Sequence, residues 1–124
     1  MKNIITNDAP APKGTYSHAR VHQGLVYVAG QLGLNPATGE VSGSEFTDQL
    51  RQALENLETI LKASGSDLEH ILHINVYLTD PNQYPLMNKI FTDLMPQPYP
   101  PRTARVVELG GYLVEVDAVA ALIE

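Results

Sequence analysis

Apolar residues at Phe46, Leu50, Ala53, Leu54, Leu57, Ile60 and Leu61 recur at spacings of three and four, which lines them along one face of a helix. Ser42, with Glu45 three positions later, has the pattern of a capping box at its start. Ser64-Gly65 supplies the stop, since glycine can take the left-handed angles of a C-cap. The period then changes. Leu72, Ile74, Val76 and Leu78 alternate with His73, Asn75, Tyr77 and Thr79, the period of a strand. A second helix is predicted after Asp80-Pro81, with Tyr84, Met87, Phe91, Leu94 and Met95 as its apolar face. Pro85 fits only if it lies in the first turn. Pro96, Pro98, Pro100 and Pro101 end that helix.

Upstream, residues 16–21 and 25–30 read as strands joined by a hairpin turn at Gln23-Gly24. Residues 35–40 form a turn cluster containing Pro36 and Gly39, and a short strand is expected over residues 3–6. Downstream, strands over residues 103–109 and 112–122 are predicted to join through a turn at Gly110-Gly111. The order is β-β-α-β-α-β-β. Two helices cannot cover both faces of so many strands, so an α+β fold is expected, a mixed sheet with both helices on one face. The uncovered face carries His73, Asn75 and Tyr77, too mixed in polarity for a plain solvated surface. An oligomer is therefore predicted, with a site at a subunit seam.

The chain has 124 residues, enough for one domain spanning residues 1–124. Its net charge is −6, and its eight basic residues are scattered singly, which counts against a nucleic-acid partner. The absence of cysteine excludes disulfides, thiolate metal sites and a cysteine nucleophile. His18, His22, His70 and His73 lack zinc-site spacing, so no metal is expected. There is no Gly-x-Ser-x-Gly elbow, and Gly24, Gly30 and Gly33 open no helix that could bind a dinucleotide. No apolar run approaches the ~20 residues of a membrane span. The first residues lack an apolar signal core, so a cytoplasmic protein is expected.

Candidate chemistry gathers near the C-terminus. Pro100-Pro101 delivers Arg102 to the mouth of a strand, and Glu115 and Asp117 share one side of the next predicted strand. An arginine fork grips a carboxylate through two parallel hydrogen bonds, and an acid beside it could orient or deprotonate a water. Arg105, three residues on from Arg102, must point to the other face. Tyr16 could pack in the core or close over a small substrate. Asn88, a mediocre helix residue, could donate or accept from mid-helix.

Several segments together resemble the reactive intermediate deaminase (RidA/YjgF) family. They are Gly14-Thr15-Tyr16-Ser17-His18-Ala19, Val28-Ala29-Gly30-Gln31, Asn35-Pro36-Ala37-Thr38-Gly39-Glu40, Gln52-Ala53-Leu54-Glu55-Asn56-Leu57, Val76-Tyr77-Leu78-Thr79-Asp80, Pro101-Arg102 and Val114-Glu115-Val116-Asp117-Ala118. The resemblance covers nearly the whole chain in register. It implies a chorismate-mutase-like fold in a homotrimer with sites between subunits. It also implies hydrolysis of 2-imino acids and their enamine tautomers to 2-keto acids and ammonia, without a cofactor. By that resemblance Arg102 binds the substrate carboxylate, Tyr16 closes the pocket, Gly30 lets the backbone approach, and Asn88 contributes from its helix. Backbone groups around Arg102 and Ala104 receive the imine nitrogen, and Asp117 holds the attacking water. Asp117 stands where family members usually carry glutamate, Ala29 where serine or threonine is common, and Ala104 where cysteine is common. Two alternatives follow from those departures and from the family's range: a binding protein for small carboxylic or 2-keto acids, and an endoribonuclease.

Overall fold

Period-two and period-3.6 segments fold where the sequence puts them, but the strands pair in an order the sequence does not announce. The computed structural model describes all of residues 1–124. Six strands form one sheet: β1 (Lys2–Ile4), β2 (Ala19–His22), β3 (Leu25–Leu32), β4 (Ile71–Leu78), β5 (Arg102–Val106) and β6 (Val114–Ala121), in the spatial order β1-β2-β3-β6-β4-β5. Two helices, α1 (Phe46–Ala63) and α2 (Tyr84–Leu94), pack on one face. Only β4 and β5 run parallel, and α2 is the crossover that such a pair requires. The α+β expectation therefore holds.

The hairpin turn at Gln23-Gly24 forms, with φ of 50° and 79°, the paired left-handed angles that suit the strand twist. The expected strand over residues 16–21 is shorter, because β2 starts at Ala19. Residues before it form a lead-in pinned by His18. The His18 Nε2–H donates to the Pro10 carbonyl at 2.7 Å, and its Nδ1 accepts from the Thr6 amide at 3.1 Å. With both ring nitrogens spoken for, His18 is a buried structural residue.

The predicted capping box at Ser42 and Glu45 does not form. Gly43 takes φ of 146°, which no helix allows, so α1 starts at Phe46 with Glu45 as an N-cap that makes no side-chain bond. The apolar stripe of α1 is buried as predicted, but it also contains Gln49 and Asn56. Their roles were not read from the sequence. Asn56 Nδ2 donates to the carbonyls of Leu32 and Leu34, at 3.1 and 2.9 Å, and so clamps the exit of β3. Gln49 Nε2 donates to the Gly43 carbonyl, and its Oε1 accepts from the Leu113 amide just ahead of β6. A polar residue inside an apolar stripe was the available signal, since buried amides must be paired.

In β4 the inward residues are Ile71, Ile74, Val76 and Leu78. An irregularity in the pairing with β6 between Ile71 and His73 turns Leu72 outward, where it is 49% exposed, contrary to the simple alternation. The face of α2 is Met87, Ile90 and Phe91, with Tyr84 and Leu94 left partly exposed; Pro85 lies in the first turn. The predicted turn at Gly110-Gly111 forms, but the strands on either side of it do not pair with each other. Both glycines have positive φ, yet β5 pairs only with β4, and β6 inserts between β3 and β4. β6 has a buried residue at every second position, which suits a central strand; β5 is short and largely exposed, which suits an edge.

Asp67 tests one local element. Its Oδ1 accepts from the His70 amide at 3.1 Å and lies 2.6 Å from His70 Nδ1, closing a turn of 3-10 helix over Leu68–His70. The His70 side-chain hydrogen bond holds the Asp67 carboxyl below its usual range, against a smaller opposing effect of burial. A depressed folded pKa contributes stability above the unfolded carboxylate pKa and loses it as pH falls through the folded value. Asp67→Asn is expected to lower the unfolding free energy measured in urea at neutral pH by less than about 1 kcal/mol, because the pair is partly exposed and screened by solvent. The difference is expected to shrink as pH falls through the folded value.

Candidate functional site

Arg102 enters β5 directly after Pro100-Pro101. It pairs in register with Ile74, whose side chain is buried under the helices, so Arg102 also faces the helix side. There its Nη2 donates to Asn88 Oδ1 at 2.8 Å, and its guanidinium lies 4.9 Å from the centre of the Phe91 ring. Asn88 and Phe91 are three apart on α2 and share its flank. An open groove runs between Asn88, Phe91, Thr92, Tyr99, Pro100 and Arg102. Arg102 makes no ion pair. Stacked on one ring and aimed by one amide, it is oriented with donors left over for an anion. Ala104, two residues on, faces the same side, and its carbonyl accepts from the Tyr84 hydroxyl at 3.1 Å.

Glu115 belongs to a second place. The β3–β6 pairing is irregular between Val28 and Gln31, and Gly30 sits in that irregularity. A Cβ at Gly30 would lie 2.9 Å from the Glu115 Cδ and 3.0 Å from its Oε1. Glycine here makes room for a carboxylate to lie over the strand. Glu115 and Gly30 line a cavity of about 60 Å³, room for about two waters, together with Tyr16 and Lys13 of the lead-in. The Tyr16 hydroxyl accepts from the Lys13 amide at 3.2 Å, which holds the ring at the rim, 49% exposed. Burial, and then the charge of Asp117, push the Glu115 carboxyl above its usual range. A half-buried acid with raised proton affinity beside a water-sized space has the properties of a general base.

Asp117 does not line this cavity. Its Oδ1 accepts from Asn75 Nδ2 at 2.7 Å and its Oδ2 from the Tyr77 hydroxyl at 2.9 Å. Burial and the neighbouring Asp117 raise the Tyr77 phenol above its ordinary value. The acid expected from the sequence to hold a water is thus bound to its own sheet, and the acid at the cavity is Glu115. The two share a face, so strand parity could not separate them; the missing Cβ of Gly30 does.

The sequence-predicted residues fall into two groups. Arg102, Asn88 and Ala104 lie on the helix side of the β4–β5 edge. Tyr16 and Gly30 lie with Glu115 across β3 and β6. In register, Glu115 is opposite Tyr77 and Arg102 opposite Ile74, and adjacent residues of β4 alternate sides, so the two groups sit on opposite faces. Arg105 pairs with Tyr77 and faces away from Arg102, as expected. A single chain does not bring Arg102 to Glu115. No group of three or more histidines, aspartates or glutamates converges in a way that could hold a metal ion. No helix is long and apolar enough to cross a membrane.

A family model described as endoribonuclease L-PSP matches residues 6–122. A RutC family protein of Pyrococcus horikoshii is 37% identical, over 97% of this chain and 98% of its own length. The 2-iminobutanoate/2-iminopropanoate deaminase of Bos taurus is 35% identical, over 96% of this chain and 88% of its own. The crystal structure of RidA from an Antarctic Psychrobacter species superposes with a TM-score of 0.94 at 35% identity, covering 98% of this chain and 100% of that one.

Proposed function

This chain belongs to the endoribonuclease L-PSP family, that of RidA and YjgF, and from that membership we propose that it hydrolyses 2-imino acids and their enamine tautomers to 2-keto acids and ammonia. The reading places the site at the seam between copies of a homotrimer. Arg102, Asn88 and the backbone around Ala104 come from one copy, and Tyr16, Gly30 and Glu115 from the next. The observation that carries it is the separation of an ion-pair-free arginine and a proton-hungry acid onto opposite faces of one sheet. Each is half of a site, and a second copy supplies the other half.

The chemistry asks little of the protein. A protonated imine is already electrophilic at C2. Arg102 holds the carboxylate, oriented by Asn88 and the Phe91 ring. Glu115 takes a proton from water as its oxygen attacks C2, giving a carbinolamine. That proton then goes to the amine nitrogen. The C–N bond breaks as Glu115 takes the hydroxyl proton and the C2 carbonyl forms, and the departing ammonia carries that proton away as ammonium, which restores the carboxylate. Positioning alone can be worth ~7–11 kcal/mol in such a reaction. The role expected of Asp117 passes to Glu115 in this reading.

The test generates 2-aminoacrylate from serine with a dehydratase and follows pyruvate and ammonia release. Wild type is expected to accelerate both. Arg102→Ala is expected to reduce kcat/KM by roughly tenfold to a hundredfold, the worth of a charged hydrogen-bonded grip. Its sedimentation should match that of the wild-type trimer. No acceleration, with measurable binding of 2-ketobutyrate, would replace the deaminase by a carboxylate-binding protein. A monomer in sedimentation would remove the shared site.

A further inference from the structure

Glu115 and Asp117 stand two apart on β6 and face the same open side of the sheet. Asp117 is held by its own sheet, accepting from Asn75 on one oxygen and from the Tyr77 hydroxyl on the other. Both donors come from β4. Asn75 lies directly opposite Asp117, whereas Tyr77 lies opposite Glu115, so its hydroxyl reaches along the diagonal. Two neutral donors fix the position of a carboxylate without cancelling its charge. Glu115 has the reverse surroundings: it makes no ion pair, and its carboxylate lies half-buried against Gly30.

We propose that Asp117, locked by Asn75 and Tyr77, is a positioning residue whose fixed negative charge makes Glu115 a stronger base toward the attacking water. The proposal rests on the reading of Glu115 as the base in imine hydrolysis. It explains why an acid outside the cavity is held by two side chains: a mobile aspartate would swing away, and its field at Glu115 would fall. The raised proton affinity of Glu115 agrees, with burial the larger cause and Asp117 the second.

The other groups around Glu115 do not duplicate this effect. β4 contributes Tyr77, already engaged with Asp117. β5 contributes Arg105, one strand beyond Tyr77. From the lead-in, Lys13 directs its ammonium to the Tyr112 hydroxyl at 3.4 Å, Tyr16 faces the rim, and both His18 nitrogens are bonded to backbone. β3 contributes Gly30 and Gln31, which carry no charge. Arg102 of a neighbouring copy would add a cation, but it is common to every variant below and cancels from their comparison.

Two measurements on the full chain test the proposal. Carboxyl carbon NMR follows the titration of Glu115, assigned by its loss in Glu115→Gln. In Asp117→Asn, Glu115 is expected to titrate at lower pH than in wild type, and Asp117→Glu is expected to restore the wild-type behaviour. In the pH dependence of kcat/KM for 2-iminobutanoate, Asp117→Asn is expected to move the acid limb to lower pH and to lower the plateau by roughly threefold to tenfold, as a weaker base does. An unmoved Glu115 titration in Asp117→Asn overturns the proposal. So does a lowered plateau with the acid limb in place, which marks a merely structural aspartate. If wild type hydrolyses no imine, the functional reading falls, and the NMR comparison still decides whether Asp117 governs Glu115.

Discussion

Replacing Glu115 by glutamine is expected to reduce kcat for imine hydrolysis by roughly a hundredfold to ten-thousandfold, the usual contribution of a general base. Glutamine keeps the shape of the side chain, so the cavity beside Gly30 and the β6 ladder should survive. Carboxylate binding through Arg102 should survive as well, since that residue lies on the other face. The same substitution carries a stability signature of opposite sign. Glu115 has a folded pKa raised above its unfolded value, chiefly by burial. Its ionised form is therefore disfavoured in the folded state. That cost is absent below the unfolded pKa, grows as pH rises between the unfolded and folded values, and is complete above the folded value. Glu115→Gln is expected to melt at a higher temperature than wild type near pH 8 and at the same temperature near pH 3. Lost activity with gained stability is the pattern of a residue kept for chemistry. Near-wild-type turnover in Glu115→Gln, alongside an inactive Asp117→Asn, would return the water-holding role to Asp117.

The second large effect is on folding. Gly33 follows β3 at a place where α1 crosses the chain closely. A Cβ there would lie 2.6 Å from the Gln49 Cα and 2.7 Å from its carbonyl carbon, both backbone atoms of α1. No rotamer change relieves a contact between main chains, so the helix must shift. The shift would act on residues that hold the sheet end together: Gln49, which receives the Leu113 amide, and Asn56, which clamps the carbonyls on either side of Gly33. Gly33→Ala is expected to cost about 3 kcal/mol or more, the upper range for forced overpacking. For a domain of this size that lowers the melting temperature by roughly 10 °C. A melting temperature within about 2 °C of wild type would mean that α1 can back away freely. Because Leu113 leads into β6, the surviving folded fraction is also expected to show a displaced Glu115, readable in the same carboxyl titration.

Most elements were legible in the sequence because their signals are local. The stripe from Phe46 to Leu61 and the alternation from Ile74 to Leu78 each encode a period, and a period is a property of neighbours along the chain. Gln23-Gly24 and Gly65 likewise announce backbone angles that only a few residues tolerate. Errors appeared where the deciding contact is distant. Gly110-Gly111 marks a turn correctly but does not say that β6 will slot between β3 and β4. Leu72 looked inward until an irregularity beside it shifted the parity. The Ser42 capping box failed for a local reason instead: Gly43, one residue away, takes an angle no helix allows.

The candidate site divides in the same way. Arg102, Asn88, Tyr16 and Gly30 are each recognisable by residue type and setting, and their resemblance to known segments put them on one roster. Sequence alone therefore determined the helices, most strands, the α+β class, the family, and a set of candidate side chains. The tertiary structure decided which of them meet. Glu115 and Asp117 have the same strand parity, and only the absence of a Cβ at Gly30, brought alongside by β3–β6 pairing, makes room for one of them at the cavity. Arg102 and Glu115 are both candidates on paper, yet their registers against β4 put them on opposite faces. Backbone periodicity is set by neighbouring residues, whereas register and the space beside a strand are set by residues far along the chain, and those become known only when the sheet is assembled.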